Sequence, residues 1–316
     1  MQLRRGSLLV LALPAIAVIA GQSVASQQDQ PTYTLKLPVD EVSLTLQALD
    51  YDGQAVDDLK IEDLKVLDNG VRARRIVALD SFKDAPVHVG IMIDSSESMG
   101  SSRERSQRAA IAVARSLIRQ PADRGFAMDF AVLSPIAKEW TSDVKELEAA
   151  IRNHRVASDA GGSLRGTALF DALYRACLNE FGHDESPMSR NVIVMFSDGV
   201  DNASRGDLKL AVDECQKTNT AIYAFRFDVP EAASTGPAAL AEVATKTGGR
   251  VFHGDDGDTQ IADDVRMIET DLGARYRLIF KPPEVRHDGA FHRVEIDAPS
   301  RPVTIRLQTG YYAPVR

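Results

Sequence analysis

Val87-His88-Val89-Gly90-Ile91-Met92-Ile93-Asp94-Ser95-Ser96-Glu97-Ser98-Met99-Gly100 is the stretch on which the reading of this chain turns. An apolar-dominated run from Val87 to Ile93 ends abruptly in Asp-x-Ser-x-Ser. Such a run reads as a strand buried on both faces, the kind found inside a parallel sheet. The polar tip has two readings. Its serines can cap a following helix. Alternatively, a carboxylate and two hydroxyls at spacing two can turn their oxygens to one point, a donor set that suits a hard cation such as Mg²⁺. The stretch alone does not separate the two.

Around it the period of the apolar residues changes. After the tip, Ser101-x-x-Glu104 reads as a capping box, and Ala110, Val113, Ala114, Leu117 and Ile118 follow at helical spacing. Strands are expected at 126–133, 136–140, 191–196, 220–227 and 250–252. Helices are expected at 143–153, 169–181, from a capping box at Ser204-x-x-Asp207 through Lys217, at 237–246 and at 259–272. Alternation of this kind predicts an α/β fold: a doubly wound, mostly parallel sheet with helices on both faces.

The flanks read differently. Before Val87, Val42, Leu44 and Leu46 alternate with polar residues, and Asp68-Asn69-Gly70 is a hairpin turn. After Arg275 the strand pattern returns at 276–280, 291–296 and 303–307. The expected organisation is an N-terminal β module at 35–84, the α/β domain at 85–273 and a C-terminal β segment at 274–316. About fifty residues make a poor core alone, so the two flanks are expected to pack together as one module, the alternative being two separate appendages.

Residues 1–25 have the form of a secretory signal. Arg4 and Arg5 precede an apolar core from Leu8 to Ala20, and Ser23-Val24-Ala25 is a small-residue cleavage site. Residues 26–34 then form a polar linker. The apolar core is short for a membrane span and Pro14 interrupts it, although an uncleaved anchor is the rival reading. The expectation is an exported bacterial protein, periplasmic or secreted, and not an integral membrane protein after cleavage. With a formal net charge of −8 and no basic run, the chain is a poor nucleic-acid binder.

Ligands of an open α/β sheet gather at the carboxyl ends of its strands, where the strand order reverses. Three polar clusters are expected there. Asp94, Ser96 and Ser98 end the first strand of the domain. Thr167 lies in Gly161-Gly162-Ser163-Leu164-Arg165-Gly166-Thr167-Ala168-Leu169, just before a helix. Asp198 follows the strand at 191–196, in Ser197-Asp198-Gly199. In the order 3-2-1-4-5-6 the strands of Asp94 and Asp198 are neighbours, and two carboxylates and three hydroxyls converge.

Taken together, these parts resemble a von Willebrand factor type A domain with a metal-ion-dependent adhesion site. The opening β module, Gly248-Gly249-Arg250 and the closing Gly310-Tyr311-Tyr312-Ala313-Pro314 are similar to the exported proteins of that family first described from Acidobacteria. The resemblance implies a Rossmann-like fold and a bound Mg²⁺, or Mn²⁺ or Ca²⁺ in its place. It implies that Ser96 and Ser98 ligate the ion directly, Thr167 directly or through water, and Asp94 and Asp198 mostly through water. It further implies a protein partner that contributes an Asp or Glu carboxylate, no small-molecule substrate, and a shift of the last helix on engagement.

The rivals are a metal-dependent hydrolase centred on Asp94 and a structural envelope protein whose metal site is unused. Against the hydrolase, Ser96 stands where phosphatases with an Asp nucleophile usually carry a second Asp, and no nucleophile elbow occurs. The six histidines, His88, His154, His183, His253, His287 and His292, are scattered, without a zinc-ligand pair on a helix. Asp159 and Asp201 read as solvated loop acids or as holders of a second ion. The only cysteines, Cys177 and Cys215, fall on apolar faces of two helices expected on one side of the sheet. They are open to two readings, a disulfide or a pair of small buried thiols.

Overall fold

The computed structural model describes residues 41–154, 166–182, 188–229, 236–307 and 310–315. The signal and linker segments, the first residues of the N-terminal module, most of the glycine-rich loop with Asp159, and His183 lie outside the described residues.

A six-stranded sheet forms the centre of the α/β domain. Its strands are β5 (Val87–Asp94), β6 (Arg124–Phe130), β7 (Ile136–Thr141), β8 (Arg190–Ser197), β9 (Ala221–Arg226) and β10 (Val251–His253), in the spatial order β10-β9-β8-β5-β6-β7. Counted within the domain this is the expected 3-2-1-4-5-6, with the reversal between β5 and β8. All pairs are parallel except β6 with β7. Every residue of β5 is buried, because both faces are covered.

On one face, helices α1 (Arg103–Leu117), α2 (Val144–Arg152) and α6 (Asp258–Gly273) close over Val89, Ile91, Val194, Tyr223 and Phe225. On the other, α3 (Leu169–Arg175), α4 (Leu208–Lys217) and α5 (Gly236–Thr247) close over Met92, Phe126, Ile193 and Met195. Each such side chain, taken fully out of water, contributes roughly 1.5–3 kcal/mol. The chain continues from α3 through a π turn, Ala176–Phe181. Cys177 in that turn and Cys215 in α4 are joined by a disulfide, with Cα atoms 5.0 Å apart.

Two helix starts differ from expectation. Ser101 lies inside a 3₁₀ turn, Glu97–Ser102, and α1 begins only at Arg103. The α4 cap is Asp207 itself, whose side chain accepts from Leu210 N. Ser204 instead donates to Asp201 Oδ2 at 2.5 Å. In both places a nearer acceptor or a tighter turn outcompetes the capping box.

The flanks form two antiparallel four-stranded sheets. One has the order β13-β1-β11-β4, from β1 (Val42–Leu49), β4 (Arg75–Ser81), β11 (Arg275–Lys281) and β13 (Thr304–Leu307). The other has the order β14-β12-β2-β3, from β2 (Lys65–Asp68), β3 (Val71–Arg72), β12 (Phe291–Asp297) and β14 (Gly310–Tyr312). Leu44, Leu46, Tyr276, Leu278 and Phe280 of the first share a core with Val66, Val294 and Ile296 of the second. Strands from both chain ends thus complete one β sandwich, which neither end could close alone.

Candidate functional site

The site lies at the carboxyl ends of β5 and β8. Parallel pairing sets Ile93 beside Phe196, so Asp94 and Ser197 emerge from the sheet together. Asp94 is fully buried. Its Oδ1 accepts from Ser96 N at 2.9 Å and its Oδ2 from Ser197 Oγ at 2.6 Å. Ser96 and Ser98 hydroxyls are 3.1 Å apart, and Ser98 Oγ donates to Asp198 Oδ2 at 2.7 Å. Asp198 Oδ1 accepts from Val200 N. A continuous chain of oxygens therefore links Ser96, Ser98 and Asp198, while Ser197 anchors Asp94 behind it.

Burial pushes the Asp94 carboxyl up to about 6, opposed by the bonds from Ser197 and Ser96 and assisted by the negative charge of Asp198. Among the described residues neither carboxylate is ion-paired. Two acids meet in a buried setting without a protein cation. This donor set, hydroxyls and carboxylates alone, fits a hard divalent ion. Among the described residues no cluster of three or more His, Cys, Asp or Glu offers an alternative metal site.

Thr167 reaches the same end of the sheet by backbone bonds. Its N–H donates to Asn202 Oδ1 at 2.8 Å, and its carbonyl accepts from Asn202 N and Ala203 N, both at 3.0 Å. Ala168 N donates to Ala131 O just beyond β6. The hydrogen bonds of Thr167 run to the loop that follows Asp198, whereas those of Asp94, Ser96, Ser98 and Asp198 run among themselves and to Ser197 and Val200. Gly166, at φ +122°, leaves room for Asn202: a Cβ there would lie 2.6 Å from Asn202 Oδ1. Asp201 is not a free loop charge, since its oxygens accept from Phe170 N, Ser204 N and Ser204 Oγ. It caps the start of α3.

The loop after Asp198 is held by backbone packing. Gly199 has φ +81°, and a Cβ on it would lie 2.4 Å from Gly236 O at the start of α5. Sequence reasoning missed Ser197, Asn202 and Gly199 as supports. The first and last stand beside Asp198 in Ser-Asp-Gly, so that motif carried a signal for them. Asn202 carried none.

A family model for the von Willebrand factor type A domain matches residues 88–265. The chain belongs to this family. Among solved structures it is similar to BatB from Bacteroides thetaiotaomicron, with 17% identity, 58% of this chain and 97% of that one covered, and a TM-score of 0.48. A von Willebrand factor type A protein from Catenulispora acidiphila gives 12% identity, 88% and 75% coverage, and a TM-score of 0.49. Proximal thread matrix protein 1 from the mussel byssus, in a form with a zinc-occupied MIDAS motif, gives 16% identity, 65% and 49% coverage, and a TM-score of 0.48. No curated protein matches. Among the described residues no helix is long and apolar enough to cross a membrane.

Proposed function

We propose that this chain is an exported binding protein whose Asp94, Ser96, Ser98, Thr167 and Asp198 hold a Mg²⁺-type ion, and that the ion grips an Asp or Glu carboxylate of a protein partner. The observation that carries this reading is the buried, unpaired Asp94 tied through its neighbours to Asp198 by a chain of oxygens. An ion held mostly by neutral hydroxyls keeps enough charge to bind an outside carboxylate strongly in a partly desolvated setting. The family favours the same chemistry.

Binding fits better than catalysis. Both Asp94 oxygens are engaged and the residue is buried, which leaves it poorly disposed as a nucleophile. The disulfide suits an oxidising compartment, in keeping with export. The test has two arms. Calorimetry should detect Mg²⁺ binding by the wild type and none by Asp94→Ala. An envelope partner should then be captured only by the wild type, only with Mg²⁺. Capture that is equal in EDTA and in Asp94→Ala removes the reading.

A further inference from the structure

The α/β domain meets the β sandwich at the amino ends of the sheet strands, the opposite end from Asp94. Arg275 sits in that seam as the first residue of β11, two positions after α6 ends, and is 3% exposed. Its Nη1 donates to Asn191 O at 3.0 Å, while its Nε is buried without a hydrogen-bond partner. Among the described residues no carboxylate pairs with it. Asp271, whose charge acts on it, is already committed: Arg250 takes its two oxygens at 2.6 and 2.7 Å, and Tyr223 donates to one at 3.3 Å. A guanidinium cannot escape by losing its proton, and a buried charge without a counter-ion is strongly destabilising.

Beside Arg275 the seam forms a partly open pocket of about 10 Å³, room for roughly one water-sized particle. Thr45, Gln47 and Arg306 line it from the sandwich, and Asn219, Thr247 and Gly248 from the α/β domain. Arg306 has no ion pair among the described residues. Buried Arg275 and exposed Arg306 therefore line one pocket with no acid in its wall. Arg190 also has a buried Nε without a partner; Arg275 repels it, while Asp123 and Asp84 act on it in the opposite sense.

We infer that this seam cavity binds a monatomic anion, chloride in the cell, and that the ion ties the sandwich to the α/β domain. A water could accept the hydrogen bonds but would leave the charge. The space beside Arg275 takes about one water-sized particle, which favours a monatomic ion over sulfate, phosphate or a carboxylate.

The experiment uses the mature chain at fixed ionic strength, in sodium chloride against sodium gluconate. The melting temperature should rise saturably with chloride, by roughly 2–3 °C at ten times the dissociation constant. Arg275→Gln should abolish the response, and Arg306→Gln should move it to higher chloride. Wild-type crystals soaked in bromide provide a readout that needs no variant: an anomalous peak is expected beside Arg275. A melting temperature indifferent to the halide, a response unchanged in Arg275→Gln, or a cavity without bromide overturns the proposal.

Discussion

Ser197 Oγ donates to Asp94 Oδ2 across 2.6 Å, joining residues 103 positions apart. The same oxygen accepts from Gly199 N at 3.0 Å, so one hydroxyl fixes a buried carboxylate and the loop of Asp198 together. Supports of this kind behind a metal ligand are typically worth 10–100-fold in affinity. Ser197→Ala should therefore weaken Mg²⁺ binding by roughly that factor. It should also cost about 1–3 kcal/mol of stability, because two buried partners lose their bonds. Calorimetric titration of the folded variant checks the first effect and urea denaturation the second. Wild-type affinity for Mg²⁺ in Ser197→Ala would show that Asp94 needs no such anchor.

The ion-free protein should lose stability as pH rises past Asp94's titration. Folding raises this group from 3.8 to about 6. Its contribution is therefore fully present below about 3.8 and is lost as pH climbs through about 6, a change of about 3 kcal/mol. The ionised form is the one a cation needs, so Mg²⁺ should stabilise the protein above about pH 6 and progressively less below it. Asp94→Asn, which carries no charge to bury, should remove both effects. Melting curves from pH 4.5 to 8, with and without Mg²⁺, give the comparison. A Mg²⁺ shift as large at pH 5 as at pH 8 would contradict the linkage.

Much of this arrangement is legible in the sequence, for a physical reason. Asp94, Ser96, Ser98 and Asp198 sit in two short spans directly after apolar strands, and parallel pairing brings consecutive strand ends of one direction to one edge. The change from period two to helical spacing and back marks the domain and its flanks. What the sequence does not carry is competition between local partners. Ser101 and Ser204 both satisfy the spacing of a capping box, yet a 3₁₀ turn absorbs one and Asp201 holds the other. The hold of Asn202 on Thr167 spans 35 positions, and nothing local announces it. The division of the flanking strands into two sheets also depends on pairings between chain ends, such as Leu46 with Tyr276.

Gly199 should resist substitution more than its turn geometry alone requires. At φ +81° any side chain is strained, and here a Cβ would also meet Gly236 O at 2.4 Å and Leu240 Cγ at 2.7 Å. Backbone cannot move aside as a side-chain tip can, so Gly199→Ala should cost about 1–3 kcal/mol and displace Asp198. Gly53 supplies the control, with φ +78° and open space around it. Gly53→Ala should lose only the backbone strain, about 1–2 kcal/mol, and keep Mg²⁺ binding intact. If both variants bind Mg²⁺ like the wild type, the packing of the Asp198 loop on α5 has no role in holding the site.

The Cys177–Cys215 bridge closes a loop of 38 positions between α3 and α4. Cross-linking a loop of that length restricts the unfolded chain by an amount corresponding to about 4 kcal/mol in the chain-entropy model, within a usual range of 2–4 kcal/mol. Both cysteines are fully buried in the core cluster that contains Leu173, Ala211 and Leu240, so a reductant should reach them only when the domain opens. Two results are expected. Native protein should keep its oxidised mass in mild reductant, and the Cys177→Ala/Cys215→Ala variant should unfold at clearly lower urea than the wild type. The π turn that carries Cys177 is part of the same arrangement. Unchanged urea midpoints in the double variant would mean that the bridge does not contribute to stability.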